Sequence, residues 1–359
     1  MKKFLFPFFI GILLSSCNST KQAATSNSTG DTKNQYKILT VAFYNLENLF
    51  DTENDPKKFD ERTPIMEMPA EARPEAYRKK LHNMASVLSK IGTDVAKDSP
   101  AIIGISEVEN QKVIEDLVNQ PELVEKNYGI IHYESPDERG IDVALLYQKD
   151  LFRPISSSSH SVYLYNQAKE KQDYTRDQLL VTGLLDGEKM HFIVNHWPSR
   201  GGGEAASEPK RLAAAAVMKG IIDSIQAVDP YAKIMAMGDF NDNGYNKSFK
   251  EVLGSKSEQE SVKLKGIYNP YEALHAQGIG SNAYRDGWDN FDQIIMTKPF
   301  LAGDYDSYHF YKAFVFNPKF MLTPEGRYKG YPFRSWGNGA FTGGYSDHFP
   351  VYVYLIKEL

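Results

Sequence analysis

Short apolar runs separated by polar turn residues recur along the chain from Tyr36 onward. They are rich in β-branched and aromatic residues, and each has the length of a strand rather than of a helix. The pattern predicts strands over 38–44, 101–105, 143–147, 179–185, 191–194, 233–237, 291–296 and 351–355. Strands of this kind with helices between them predict an α+β domain.

Two segments carry the spacing or composition of helices. Over 78–91 the apolar residues fall on one helical face, and over 207–226 a run of alanines has high helix propensity. In the second helix we expect Ser207 to be the N-cap and Pro209 to lie in the first turn. The stretches 51–77, 197–206 and 255–290 are predicted to be long polar loops, which in enzymes usually serve the substrate.

The N-terminus has the pattern of a secretory signal. Lys2 and Lys3 precede an apolar run over 4–14, which at about 11 residues is too short to span a bilayer. Leu14-Ser15-Ser16-Cys17 then resembles a bacterial lipobox, in which the cysteine is lipidated and becomes the new N-terminus. The alternative is a free thiol in a cleaved signal.

These features predict three segments along the chain. Residues 1–16 are a lipoprotein signal peptide, 17–35 are a lipidated Cys17 with a flexible tether, and 36–359 are a single catalytic domain. The tether has no large apolar residue and therefore cannot bury enough surface to fold. We expect an exported bacterial lipoprotein, a monomer anchored to the outer membrane, on its periplasmic or surface face, through the lipid only.

Composition and charge exclude several classes of protein. The chain has 359 residues, of which 42% are hydrophobic and 24% charged, as in ordinary globular proteins and unlike disordered, collagenous or multi-span membrane chains. The formal charge is −5, so no global positive field exists to coat a polyanion. The single cysteine excludes an intramolecular disulfide and a cysteine-cluster metal site.

Polar side chains follow four of the predicted strands and lie at the start of two others. If those two strands run antiparallel to the other four, all six tips meet at one edge of the sheet assembly. The donor set contains carboxylates, amides and imidazoles, and it suits Mg²⁺, with Mn²⁺ or Ca²⁺ as alternatives. The residues concerned are Asn45, Glu107, Asn195, His196, Asp239, Asn241, Asp292, Asp347 and His348.

A hard metal held by carboxylates implies a phosphate substrate. In-line attack on a phosphodiester needs a cation, a base for the attacking water and an acid or metal for the leaving oxygen. Asp239 or His348 can serve as the base and His196 as the acid, while Glu107 and Asp347 can hold the metal.

The order of these motifs resembles that of the endonuclease/exonuclease/phosphatase superfamily, which includes pancreatic deoxyribonuclease, sphingomyelinases and inositol-polyphosphate phosphatases. The resemblance implies a deoxyribonuclease-like four-layer α/β/β/α sandwich of two packed mixed β-sheets and Mg²⁺-dependent phosphoester hydrolysis. The motifs are Asn45, Glu107, Asn195-His196-Trp197, Gly238-Asp239-Phe240-Asn241, Asp292 and Ser346-Asp347-His348.

The resemblance also implies roles for the metal and water positions. Glu107 resembles the principal metal ligand, with Asn45 and Asp347 near the same cation. Asp239 resembles the aspartate that orients or activates the water, and Asn241 the amide that holds a phosphoryl oxygen.

Two histidines and several arginines complete the implied site. His348 backed by Asp292 resembles the catalytic histidine of the family, and His196 resembles the second histidine of the deoxyribonuclease-like and sphingomyelinase-like branches, a candidate general acid. Arg176 resembles an arginine that binds a substrate phosphate. The motifs Arg139-Gly140-Ile141-Asp142 and Asn195-His196-Trp197-Pro198-Ser199-Arg200 resemble those of a subgroup of extracellular bacterial nucleases, which makes Arg139, Asn195 and Arg200 further candidates for substrate binding.

The leading expectation is an extracytoplasmic nuclease with nucleic acid as substrate. A phosphoesterase acting on a phospholipid headgroup or small phosphate ester is the alternative, and a non-catalytic binding member of the family is the third. DNA or RNA, one or two metals, and endo or exo action stay open. The aromatic residues over 305–345 are either a packed periphery or a surface that stacks bases.

Overall fold

Two six-stranded β-sheets form the centre of the computed structural model, which describes residues 35–166, 170–301 and 303–359. The signal, lipidation and tether predictions lie outside these residues, apart from Gln35. The first sheet has, from edge to edge, the strands β15 (His309–Val315), β18 (Val351–Glu358), β1 (Tyr36–Leu49), β2 (Ile102–Val108), β4 (Asp142–Gln148) and β3 (Tyr128–His132).

The second sheet is built in the same way from strands of the chain's middle part. From edge to edge it contains β11 (Ile267–Tyr268), β14 (Asp292–Thr297), β10 (Lys233–Asp239), β9 (Glu188–His196), β8 (Gln178–Leu185) and β5 (Phe152–His160). Three short hairpins lie outside the sheets and pair β6 (Leu164–Asn166) with β7 (Lys171–Asp173), β12 (Asn282–Tyr284) with β13 (Gly287–Asp289), and β16 (Trp336–Gly337) with β17 (Ala340–Phe341).

Both sheets are mixed, with the strand directions that the sequence analysis required. β1 runs parallel to β2 and β9 parallel to β10, while β18 is antiparallel to β1 and β14 antiparallel to β10. The register places Asp239 opposite His196 on one side and opposite Asp292 on the other. The ends that carry the predicted site residues therefore lie at the same edge of each sheet.

Side chains that alternate along the strands fill the space between the two sheets. Val41 and Phe43 from the first sheet and Val194 and Met237 from the second belong to one buried apolar cluster. Gly104 permits the close approach, because a Cβ at this position would lie 2.6 Å from the sulfur of Met237. Burial of both inner faces in this way is typical of two sheets packed face to face.

Helices cover the outer faces of the two sheets. The helices are α1 (Arg73–Leu88), α2 (Thr93–Ala96), α3 (Gln111–Val118), α4 (Glu204–Val228) and α5 (Tyr271–Ala276). Residues of α1 and α3 join the outer core of the first sheet, and residues of α4 join that of the second. The four-layer α/β/β/α arrangement and the α+β class are thus confirmed.

Single helical turns occur in several connections. The 3-10 turns are Asp60–Arg62, Ala70–Ala72, Val124–Lys126, Gln259–Ser261, Lys298–Leu301 and Lys319–Met321, and Ser248–Val252 is a π turn. None of the helices in the described ranges is both long enough and apolar enough to cross a membrane.

The structure corrects the predicted start of the long helix. α4 begins at Glu204, so Ser207 lies inside the helix, where its hydroxyl donates to the carbonyl of Gly203 at 2.8 Å, and it is not the N-cap. Pro209 consequently lies in the second turn rather than the first. The sequence analysis also missed α3, whose N-cap Asn110 accepts a hydrogen bond from the Val113 N–H at 3.0 Å.

Candidate active site

Side chains from the ends of both sheets meet at one edge of the sandwich. The amide nitrogen of Asn45, on β1, lies 3.1 Å from Asp239 Oδ2 and 3.4 Å from Glu107 Oε1. The Nε2 atom of His196 lies 3.6 Å from Asp239 Oδ2 and 3.8 Å from Glu107 Oε1. One cluster therefore contains residues predicted from four different strands.

The backbone at the end of β2 has an unusual conformation at Glu107. This residue has a φ of +60° at an irregularity in the pairing of β2 with β4, a conformation that costs energy for a side chain larger than glycine. Its Oε2 accepts a hydrogen bond from the Asn48 N–H at 2.9 Å, and Asn48 itself has a φ of +55°. The carboxylate of Glu107 is thus held by two residues with strained backbone conformations, Glu107 itself and Asn48.

His348 and Asp292 form a buried pair beside this cluster. His348 Nδ1 lies 2.6 Å from Asp292 Oδ2, and its Nε2 lies 3.9 Å from Asp239 Oδ2. Burial alone would lower the pKa of His348, but the carboxylates of Asp292 and Asp239 outweigh it and raise the pKa well above the usual value. The imidazole is therefore cationic at neutral pH, and its Nδ1–H donates to Asp292.

Asp239 is the carboxylate at the centre of the cluster. Burial raises its pKa to about 7, and the positive charge of His348 opposes this rise. Its Oδ1 accepts a hydrogen bond from the Asn241 N–H at 3.0 Å, which leaves Oδ2 facing Asn45 and the two histidines. A carboxyl that titrates near neutrality is suited to accept a proton during turnover.

His196 is held in the neutral form. Burial and the charges of Arg176 and Arg139 lower its pKa well below the usual value. Its side chain is only 3% exposed, and its Nδ1 has no hydrogen-bond partner among the described residues. His196 is therefore neutral and His348 cationic, although both lie within 4 Å of the Asp239 carboxylate.

The structure changes the role expected for Asn45. Its Oδ1 accepts a hydrogen bond from the Glu47 N–H at 2.9 Å, and this contact turns the amide nitrogen toward Asp239 and Glu107. In this arrangement the amide nitrogen, rather than the oxygen that a hard cation prefers, faces the two carboxylates. Its amide instead positions the two carboxylates.

The residues present fit a divalent cation with oxygen ligands. The carboxylates of Glu107 and Asp239 converge on one amide nitrogen, and the Oδ1 atom of Asp292 has no hydrogen-bond partner within the described ranges. Acidic groups buried without a matching number of cations are typical of metal sites. Atoms of Asp239, Asp292 and His348 also lie within 4.8 Å of one another.

Asp347, predicted as a further ligand, lies at the rim of the cluster. Its side chain is 40% exposed, and its Oδ2 accepts a hydrogen bond from Arg334 at 3.2 Å. The same arginine donates to Glu47 at 3.0 Å. Asp347 is thus close to the centre but paired with a cation of the protein.

Asn195 does not face the site, contrary to the substrate-binding role expected for it. Successive residues of a strand point to opposite faces, so that His196 faces the space between the sheets while Asn195 faces the helix layer. Its amide donates to the carbonyls of Ile193 and Met237, and its oxygen accepts from the Trp197 indole at 3.1 Å. These contacts use both ends of the side chain.

Two of the three predicted arginines are committed to protein acceptors. Arg176 is buried and donates to the carbonyls of His196 and Trp197 and to Asp137 at 3.0 Å. Arg200 donates to the carbonyl of Asn241 at 3.0 Å and to side chains of its neighbours. Both arginines therefore fix the backbone around the site rather than offering a free charge.

Arg139 is the predicted arginine with the most exposed side chain, at 53%, although its Nε lies 3.6 Å from Asp137 Oδ1. It lines two cavities of about 380 and 530 Å³. The first also contains Arg176, and the second contains Asn48, whose N–H contacts Glu107. Asp142 of the same motif is fully buried and lies 3.1 Å from His132, so its role is structural.

Asn241 lies beside the central aspartate as expected, but its amide nitrogen donates to the Trp197 carbonyl at 3.0 Å.

The sequence analysis missed Glu47 and Lys80, which lie behind Asn45. The Glu47 N–H donates to Asn45 Oδ1. Lys80 is fully buried and donates to the Glu47 carbonyl at 2.8 Å. The sequence signal that could have identified Lys80 is a lysine on the otherwise apolar face of α1.

The comparisons with known proteins agree with this architecture. Residues 40–357 match the family described as Endonuclease/Exonuclease/phosphatase family. A search of curated protein sequences finds no match.

Solved structures that resemble the chain have low sequence identity and similar length. D. rerio TDP2 complexed with single strand DNA product is 13% identical, over 89% of this chain and 98% of that one, with a TM-score of 0.51. The mannosyl-6-phosphatase of Bacteroides thetaiotaomicron is 18% identical, over 88% and 99%, with a TM-score of 0.51. The human Nocturnin catalytic domain with bound sulfate anion is 14% identical, over 91% and 97%, with a TM-score of 0.52.

These likenesses show a shared fold, and the family match extends over most of the chain. The chain belongs to the Endonuclease/Exonuclease/phosphatase family.

Proposed function

We propose that this protein is a Mg²⁺-dependent phosphodiester hydrolase, and that its substrate is a nucleic acid. The observation that carries the proposal is the small number of free cations at the centre. Arg176 and Arg200 bond to protein acceptors, Arg139 lies 3.6 Å from Asp137, and His348 is paired with Asp292 through Nδ1. The groups left for a substrate are the Nε2–H of His348 and the exposed part of the Arg139 guanidinium. A phosphodiester has one negative charge, whereas a terminal phosphate carries about −1.5 to −2 at pH 7 and needs more cations.

Glu107 is the residue that would hold the cation, with Asp347 at the rim and Asp239 beside it for the attacking water. When bound there, a divalent metal neutralises charge on the phosphoryl oxygens and stabilises the leaving oxygen. The structural neighbours are only 13–18% identical and assign no metal, so the choice of Mg²⁺ rests on the oxygen-rich donor set.

The chain's own residues supply the proton transfers. Asp239, whose pKa lies near 7, accepts the proton of the attacking water, and the Asn45 amide holds its carboxylate in position. His348 donates its Nε2–H to a phosphoryl oxygen while Asp292 holds Nδ1. His196 is neutral without substrate, and a phosphoryl anion beside it would raise its pKa and allow it to protonate the leaving group.

A small phosphate ester remains the second candidate substrate. One observation favours it: the cavity of about 380 Å³ beside Arg176 is lined by polar groups, among them Thr175, whose hydroxyl has no hydrogen-bond partner among the described residues. A sugar hydroxyl would satisfy such a group. The fold shared with a mannosyl-6-phosphatase is compatible with this alternative.

A substrate panel tests the proposal. The purified protein with Mg²⁺ or Mn²⁺ is incubated with plasmid DNA, single-stranded DNA, RNA, phospholipid vesicles and sugar phosphates. Cleavage of nucleic acid that chelation abolishes is the expected result. Hydrolysis of lipid or sugar phosphate without cleavage of any nucleic acid would refute the nuclease, and full activity after exhaustive chelation would refute the metal-dependent mechanism.

We also propose that the protein acts outside the cytoplasm as a lipid-anchored monomer. The lipobox-like segment that ends at Cys17 supports this location. Labelling of cells with a radioactive fatty acid should mark the natural protein and not Cys17→Ala. Equal labelling of the two would overturn the anchor.

A further inference from the structure

An aromatic surface leads away from the catalytic histidine. Phe349 follows His348 directly and stacks on Trp288, with ring centroids 6.0 Å apart and planes within 15°. Trp288 in turn contacts Tyr331 at 5.7 Å, and Tyr331 contacts Tyr328 at 5.7 Å. The rings therefore form a continuous path from the outer core of the first sheet, where Phe349 is buried, to the protein surface.

The hairpin of β12 and β13 forms the other side of this surface. Asn282 pairs with His348 in a β-bridge, which ties the hairpin to the catalytic edge. At the tip, the Tyr331 hydroxyl donates to Asp286 at 2.8 Å, which joins the hairpin to the loop that carries Tyr328. We call the set Tyr284, Arg285, Trp288, Arg327, Tyr328 and Tyr331 the aromatic rim.

The outer rings of the aromatic rim are exposed and each lies against an arginine. Tyr284 and Tyr328 are 65% and 56% exposed. The guanidinium of Arg285 lies 5.1 Å from the Tyr284 ring, and that of Arg327 lies 5.7 Å from the Tyr328 ring. Within the described part of the chain neither arginine forms an ion pair or a side-chain hydrogen bond, in contrast to Arg176 and Arg200.

Arg285 occupies a backbone position that disfavours it. Tyr284 pairs with Gly287, so Arg285 and Asp286 form a two-residue turn, with φ angles of +49° and +65°. Such a turn prefers Asn and Gly, and an arginine there adopts a left-handed conformation at a cost in backbone energy. The turn therefore does not account for an arginine at this position, and its guanidinium lies against the Tyr284 ring.

We propose that the aromatic rim binds an unpaired segment of the nucleic-acid substrate, with bases stacked on Tyr284 and Tyr328 and phosphates paired with Arg285 and Arg327. Exposed rings beside free guanidinium groups provide the stacking and the charge that single-stranded nucleic acid requires. The β-bridge of Asn282 with His348 and the stacking of Phe349 on Trp288 connect this surface to the catalytic edge. The inference rests on the proposed nuclease function and adds a preference for single strands over duplex.

The test compares variants of the full protein on two kinds of substrate. Tyr284→Ala/Tyr328→Ala should raise KM for a fluorescent single-stranded oligonucleotide of about 10 nucleotides by at least about tenfold. It should leave the hydrolysis of bis(p-nitrophenyl) phosphate, which has no base, unchanged. Tyr231→Ala is the matched control, because Tyr231 is 69% exposed and lies just before β10, at the far end from the site.

Two further variants test the charges. Arg285→Gln/Arg327→Gln should reduce the slope of log Kd against log salt by about 1.4, or about 0.7 for each phosphate that the variant no longer neutralises. Arg285→Asn should weaken binding of the same oligonucleotide while it maintains or raises the thermal midpoint, because Asn tolerates the left-handed turn. Misfolding cannot produce that combination.

The outcomes separate this inference from the nuclease function. If the oligonucleotide is cleaved but the tyrosine variant keeps the natural KM, the aromatic rim is refuted and the nuclease stands. If no nucleic acid is cleaved, the nuclease is refuted, and the fluorescence anisotropy of the same oligonucleotide decides the rim. Unchanged anisotropy on addition of the natural protein, or equal binding by the tyrosine variant, would then overturn it.

Discussion

The pair of His348 and Asp292 allows a prediction whose size follows from the structure. Asp292→Asn keeps the shape of a fully buried side chain and removes its charge. The substitution removes a charge-assisted hydrogen bond of 2.6 Å, and bonds of this kind are worth about 1.5–3 kcal/mol. At 1.36 kcal/mol per unit, the pKa of His348 should fall by about 1–2 units.

The direction of the change in activity follows from the charge state. In the natural protein the raised pKa keeps His348 cationic at neutral pH, and activity is lost only as the pH rises through that high value. In the variant the alkaline limb of kcat should therefore move to lower pH by about 1–2 units, with partial recovery in acid. Because His348 can release its proton, the variant is not left with an unpaired buried charge.

The assay is the pH profile of kcat with bis(p-nitrophenyl) phosphate at saturating Mg²⁺. Asp186→Asn is the matched control, since Asp186 also pairs with a cation, Lys37 at 2.7 Å, but lies in the turn between β8 and β9, away from the site. The control should keep the natural profile. An alkaline limb at the same pH in Asp292→Asn and in the natural protein would refute the reasoning.

Three other predictions concern metal binding by Glu107, the structural role of Asn195 and the pH dependence of stability. Glu107→Gln should raise the Mg²⁺ concentration for half-maximal activity by about 10- to 100-fold, because the cation loses an anionic oxygen, and an unchanged Mg²⁺ titration would contradict this. Asn195→Ala should lower the stability by about 1–3 kcal/mol in urea unfolding and leave KM for a small diester unchanged, since the amide bonds only to protein groups. The pKa values of Asp239 (about 7), Glu47 (about 8) and His348 are raised in the folded state, so that the folded state binds more protons than the unfolded state. The free energy of unfolding of the metal-free protein should therefore fall as the pH rises between about 7 and 8. Urea midpoints that rise over this range would reverse that sign.

The strands and the cluster could be predicted because buried strands have a simple pattern. The apolar runs that end at Tyr44 and Met237 predict buried strands, and a carboxylate that follows such a run needs a partner. Each of the eight predicted strands is present, although β1 extends to Leu49. The direction of β14 and β18 then brings Asp292 and His348 to the same edge.

The roles of individual polar side chains could not be predicted, because they depend on which face or partner each one meets. Asn195 and His196 are neighbours in sequence, yet the alternation of the strand sends them into different layers. Arg176 and Arg200 have the composition of phosphate-binding residues, but carbonyls and carboxylates of the protein occupy their guanidinium groups. A sequence pattern does not show whether acceptors of the protein or a substrate will bind a given guanidinium group.

The distribution of arginines separates the chemistry of this protein from its choice of substrate. The buried Arg176 and the half-buried Arg200 bind the backbone of His196 and Asn241, so a change in either would disturb the geometry that every phosphoester needs. The exposed Arg285 and Arg327 lie against tyrosine rings, and a change there leaves that geometry alone. Since the centre has few free cations, discrimination between substrates must come from groups around it. The surface beside His348, rather than the carboxylates, is therefore where the specificity of this family member is to be sought.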